Sequence, residues 1–113
     1  MKRLAIERSR WTRGAGKGKG VLCDYTGSMC AVGWLCWKLG GISKGRLTGQ
    51  KNPLDLFAGP LTDAERDFIN SLDLLVVGRA ADANDDPETS DQDKTRALKE
   101  LFKELGVGVV FKK

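Results

Sequence analysis

The chain contains no histidine. That absence removes Ser-His-Asp and Cys-His catalytic pairs, imidazole metal ligands and the usual switch near neutral pH. No apolar run approaches the roughly 20 residues that a membrane-spanning helix needs. The opening MKRLAIERSR has no apolar stretch followed by small residues, so no secretory signal is expected. G-x-x-x-x-G-K-[ST] and G-x-G-x-x-G are both missing. No helix-turn-helix, RNP or KH signature is present either. No cofactor motif emerges, so no cofactor is expected. What remains is a chain of 113 residues, 41% apolar and 30% charged. Those proportions suit one small globular domain spanning residues 1–113.

Three cysteines are present, Cys23, Cys30 and Cys36. An odd number without a signal peptide points to reduced thiols in a cytoplasm. None of the spacings is C-x2-C, which sets aside the common zinc ribbons and knuckles. Three thiolates with Asp24 would be one way to hold a zinc. The alternative is that Cys30 and Cys36 are small buried residues of one helix, and no metal site is expected. A reactive thiolate here would have only Lys or Arg to activate it.

Charge is divided unevenly. Residues 1–51 hold 11 Lys/Arg and 2 Asp/Glu, a balance of +9. Residues 52–113 hold 8 Lys/Arg and 13 Asp/Glu, a balance of −5. The net charge of +4 therefore hides a polarised chain. The basic half could meet an external anion, or the two halves could pair within the fold or between copies.

Along the chain, Leu4 and Ile6 alternate in a first strand over residues 3–8. Trp11 follows, expected at the end of that strand and in the core. A loop with glycines at 14, 16, 18 and 20 comes next, carrying Arg13, Lys17 and Lys19. It reads either as a solvated connection or as an anion- or partner-gripping loop. Gly20–Tyr25 reads as a second strand, and Ser28 as the N-cap of a helix over Met29–Leu39. That helix is apolar on nearly every side and so belongs in a core, with Gly33 allowing close approach of another backbone and Gly40 ending it.

Residues 41–60 read as irregular, with a second basic loop carrying Lys44, Arg46 and Lys51. Thr62 and Glu65 form a capping box for a helix whose apolar face is Leu61, Phe68, Ile69 and Leu72. Leu74–Val77 either extends that helix or forms a short strand. Residues 82–93 read as an acidic loop. Its Asp82, Asn84 and Asp86 begin a calcium-loop pattern, which fails because Pro87 stands where glycine is required. Ser90 caps a helix over 91–105, whose Leu98, Leu101, Phe102 and Leu105 share one face. Gly106 ends it, and Val107–Phe111 forms a last strand. The expected fold is α+β, with a small antiparallel sheet from the N- and C-terminal strands packed against about three helices.

Trp11-Thr12-Arg13-Gly14, Gly27-Ser28-Met29-Cys30-Ala31-Val32-Gly33, and Asn84-Asp85 before a closing helix and strand form an ordered set. In these motifs the chain resembles small accessory proteins of tailed phages and prophages, which carry W-x-R-G and G-x-M-C-x-x-G. It departs from their pattern at Ala31, where a second cysteine is usual, and at Val32, where leucine is. The resemblance implies a phage gene acting in the host bacterial cytoplasm and assigns no catalytic residue.

The function expected from these observations is binding without catalysis. The expected partner is a host protein, such as an antiviral defence component of the CRISPR type, which the chain would inhibit. The expected contact residues are Arg10, Arg13, Lys17, Lys19, Lys44 and Arg46, with the acidic loop as a second face. Two alternatives are a nucleotide-binding sponge acting as a homo-oligomer, and a single-stranded nucleic-acid binder with Trp11 and Tyr25 as stacking rings.

Overall fold

Alternation of Leu4 and Ile6 produces strand β1 (Lys2–Glu7), with both side chains buried. In the computed structural model, which describes residues 1–13 and 21–113, β1 pairs with a single partner, β2 (Val107–Lys112). The pairing is parallel, with Leu4 opposite Val109 and Ile6 opposite Phe111. This corrects the antiparallel sheet expected from the sequence. The reason lies in the element before β2. Helix α5 ends at Gly106, whose φ of 76° turns the chain back on the helix. That turn delivers the start of β2 beside the start of β1, where the Lys2 amide donates to the Gly106 carbonyl at 3.1 Å. Parallel strands need a long crossover, and the helices between them supply it.

Five α-helices, rather than about three, lie among the described residues. They are α1 (Ala31–Lys38), α2 (Lys44–Leu47), α3 (Asp63–Ser71), α4 (Leu74–Asp85) and α5 (Asp91–Glu104). Single 3₁₀ segments occupy Arg8–Arg10 and Pro53–Ala58. The additional helical turns have local causes. Asn52 and Asp55 form a capping box that starts the second 3₁₀ segment. Asp73 accepts hydrogen bonds from the amides of Leu75 and Val76, so Leu74–Val77 opens a new helix. The acidic stretch is likewise divided. Residues 82–85 are the last turn of α4, and 91–93 the first turn of α5.

The expected second strand is not formed by Val21–Tyr25. Leu22 donates to the Gln50 carbonyl and Gly49 donates to the Cys23 carbonyl, and Cys23 makes only isolated bridges, to Thr48 and Met29. From Asp24 the chain turns sharply instead. The Asp24 carboxylate accepts from the amides of Thr26 and Ser28, and Gly27 takes a φ of 88°.

Helix α1 is the centre of the core. Ala31 through Cys36 are all buried, and the helix packs against β1, α2 and α4. A Cβ on Gly33 would lie 2.0 Å from the Leu22 carbonyl oxygen, so the backbone passes where no side chain fits. Ser28 does not cap this helix. Cys30 holds the N-cap position and offers no side-chain hydrogen bond. The cap comes from far along the chain instead. Asn84, fully buried near the end of α4, accepts from the Ala31 amide at 3.1 Å and from Trp11 Nε1 at 2.7 Å. Its Nδ2 donates to the Thr12 carbonyl and to Asp85 Oδ1, both at 2.9 Å. Both acceptor lone pairs and both donor hydrogens of the amide are thus satisfied.

Replacing Asn84 with alanine strands a buried indole N–H, a helix amide and a carbonyl together. Asn84→Ala is expected to lower unfolding stability by about 3 kcal/mol or more in urea melts. An exposed neighbour such as Asp82→Ala should shift it little.

Candidate partner-binding surface

Of the six residues expected to form one contact face, the four that are described, Arg10, Arg13, Lys44 and Arg46, have different surroundings. Arg13 turns inward along the chain. Its Nε and Nη2 meet the two carboxylate oxygens of Asp91 at 2.9 and 2.7 Å, and its Nη1 donates to the Trp11 carbonyl at 2.8 Å. The guanidinium also covers the Trp11 indole at 4.4 Å from its centroid. The opposite contact of Trp11 is Phe111, with ring centroids 4.6 Å apart. Trp11 is therefore a core residue, as expected, and cannot stack on a base. Arg13 is the cation that seals it in.

Arg46 is also committed internally. It donates to Glu65 Oε1 at 2.9 Å and to the Pro60 carbonyl. The same Glu65 oxygen accepts the Thr62 amide, so Arg46 ties α2 to the capping box of α3. Arg10 stands exposed on the first 3₁₀ segment. Lys17 and Lys19 lie outside the described residues.

Lys44 is the expected site residue that leads to a surface feature. Its Nζ lies 4.3 Å from the Trp37 ring centroid, and Lys38 Nζ lies at the same distance. Trp37 is half-buried on α1 and meets buried Trp34 edge to face at 5.4 Å. The core thus grips the indole while two ammonium groups share what remains accessible. A Cβ on Gly27 would sit 3.9 Å from Lys44 Nζ, which places the Asp24 turn beside this pair. That turn displays Tyr25 at 95% exposure. Lys38, Lys44 and Trp37 make a compact cationic and aromatic patch, with Tyr25 on the adjoining turn and no ion pair to either lysine among the described residues. The two Trp of this helix suggest an aromatic interface in the sequence, but Lys38 does not stand out because the helix is apolar all round. The signal was Lys38 beside Trp37, with Lys44 just past the glycine stop.

The titratable groups with a clear shift move away from neutral pH. Burial pushes the Cys30 thiol up to about 11 and the Cys36 thiol up to about 12, and Cys23 is buried as well. Cys30 lines a largely apolar cavity of about 260 Å³, together with Leu22, Val32, Leu54, Leu74 and Val77. A neutral thiol there is lining rather than nucleophile. Carboxylates move the other way. Hydrogen bonding and charge from Arg13 hold Asp91 below the usual range, and the Thr62 amide does the same for Glu65. A hydrogen bond from the Thr89 hydroxyl lowers Asp86. Lys94, though buried, donates from its Nζ to the Asp86 and Thr89 carbonyls. Asp85, Asp86 and Asp91 of the expected acidic loop are engaged in such contacts, Asp82 stands exposed, and no trio of metal-ligating side chains occurs among the described residues.

No protein-family model matches the chain, and no curated protein or solved structure does either.

Two outcomes follow. The lowered Asp91 and Glu65 contribute stability that is complete above the ordinary carboxylate pKa of about 4. That contribution is lost as pH falls through their lower folded values. Urea midpoints should therefore hold steady from neutral pH to about 5 and drop below about 4, and Asp91→Asn should flatten the drop. Separately, all three thiols should resist an aromatic disulfide reagent in the native protein at mildly alkaline pH. They should all react once denaturant is added.

Proposed function

We propose that this protein acts by binding rather than by catalysis, as a phage-type accessory protein that occupies and blocks a host protein of an antiviral defence system. The observation that carries the reading is the patch of Lys38 and Lys44 around Trp37, with Tyr25 exposed beside it. Aromatic side chains held by a core offer contact area at small entropic cost, and interface hot spots favour them. Two unpaired ammonium groups on one indole favour an acidic partner surface, which would replace their water with carboxylates.

The non-catalytic part of the proposal draws on the titratable groups. Each shifted one moves away from neutrality, thiols upward and carboxylates downward. A general acid or base working near pH 7 needs the opposite tuning. Arg13 and Arg46 leave the proposed contact set, because their charges are spent on Asp91 and Glu65. The basic charge that matters for binding thereby shifts to Lys38 and Lys44.

Single-stranded nucleic acid is the second reading that this patch favours, since Tyr25 and Trp37 present rings beside cations. The deciding experiment is affinity capture from host lysate at physiological salt, with the captured protein identified and its activity assayed with and without the chain. The expected result is one dominant host protein, inhibited on binding, with capture reduced about tenfold or more by K38E/K44E. Retention by a labelled oligonucleotide, with affinity falling steeply in salt and no protein captured, would establish the second reading instead.

A further inference from the structure

We propose that the cleft between the Arg8–Arg10 turn and helix α5 is a binding site for the phosphate group of a small molecule. The cleft has a volume of about 350 Å³ and is lined by Arg8, Gln92, Thr95, Arg96 and Lys99. Four of these residues come from α5, where spacings of three and four place them on one side of the helix. Arg8 comes from the other end of the chain. The fold has brought three cations to one concavity from two separate elements.

What these cations do not touch is as telling as what they do. Arg13 and Arg46 each find a carboxylate oxygen at 2.9 Å or closer. Arg8 has no carboxylate partner among the described residues, and its guanidinium lies 5.8 Å from the Phe111 ring centroid. Lys99 forms no ion pair among the described residues, and Arg96 has only a 3.6 Å contact to exposed Asp93. Arg8 and Lys99 are therefore left without a contact ion pair among the described residues, while Arg96 meets Asp93 and the charge of Arg8 acts on Asp91. The mutual repulsion of the three cations is relieved when an anion enters.

The number and kind of donors favour phosphate over a lone carboxylate. Two guanidinium groups and an ammonium, with the Gln92 amide beside them, can address several oxygens of a tetrahedral dianion. The surroundings favour a small ligand over a nucleic-acid strand. Asp91 and Asp93 stand in the first turn of the same helix, with Glu88 just before it. A strand carrying phosphates at regular intervals would be driven against those carboxylates. A single phosphate or diphosphate seated among Arg8, Arg96 and Lys99 is not. This site shares no residue with the Trp37 patch and stands independently of that reading.

The test is titration of the ¹⁵N-labelled protein at low salt with inorganic pyrophosphate, and with a short oligothymidylate in parallel. The expected result is saturable amide shifts confined to residues near Arg8 and Gln92–Lys99, with half-saturation below about 1 mM. Arg8→Gln combined with Lys99→Gln should weaken pyrophosphate about tenfold or more while leaving the melting temperature equal or raised, since both side chains are exposed and repel. Lys99→Gln alone serves as the milder variant, with a smaller loss of affinity. K38E/K44E should bind pyrophosphate as the unaltered protein does, which separates failure here from failure of the patch. Equal affinity in the cleft variants, shifts centred elsewhere, or tighter binding of the oligothymidylate at these same residues would overturn the proposal.

Discussion

The fold turns on one buried side-chain amide. Asn84 joins three stretches that are far apart in sequence: the segment leaving β1 at Trp11 and Thr12, the start of α1 at Ala31, and the end of α4 that carries it. A fully satisfied amide in a dry interior is directional, whereas apolar burial is not. The bulk of the core would tolerate small rotations of α4 against α1. The four hydrogen bonds of Asn84 permit one arrangement. Trp11, Thr12 and Arg13 of the W-x-R-G motif, the start of α1 and the Asn-Asp pair all meet here or next to it. Those short motifs therefore describe a structural junction, and Arg13 closes it by covering Trp11 and gripping Asp91.

The polarised charge of the chain is partly settled within the molecule. Arg13 reaches Asp91 across 78 residues, and Arg46 reaches Glu65 across 19. Both pairs join a basic segment from the first half to the acidic start of a helix from the second. At such sites the helix dipole already favours carboxylate, and the arginine adds a second stabilising contact. Partly exposed pairs of this kind are individually weak. Their larger effect is to engage two cations internally, which leaves Lys38 and Lys44 beside Trp37, and Arg8 and Lys99 on the α5 cleft, among the cations without an ion pair among the described residues.

Much of the local architecture was legible. The alternation in β1, the capping box of Thr62 and Glu65, the Ser90 cap, the glycine ends of α1 and α5, and the close approach at Gly33 all follow from nearest-neighbour chemistry. The long-range features were not legible. Strand direction depends on where the Gly106 turn leads, and nothing in Val107–Phe111 encodes it. Helix α1 starts two residues later than a Ser28 cap suggests because its free amide is met by Asn84, 53 residues away. Arg13, Arg46 and Lys44 look equivalent in sequence. Their roles diverge only when Asp91, Glu65 and Trp37 arrive beside them. A count of basic residues cannot separate a cation already paired from one left available.

The parallel pairing of β1 with β2 also bears on the order of events during synthesis. β1 is made before the helices, yet the only strand that pairs with it among the described residues is made about a hundred residues later. Until then Leu4 and Ile6 have no sheet neighbour, and a nascent chain halted before residue 107 would expose them to chaperones. Closure of this small sheet is thus a late checkpoint, reached after the helices between the strands have been translated.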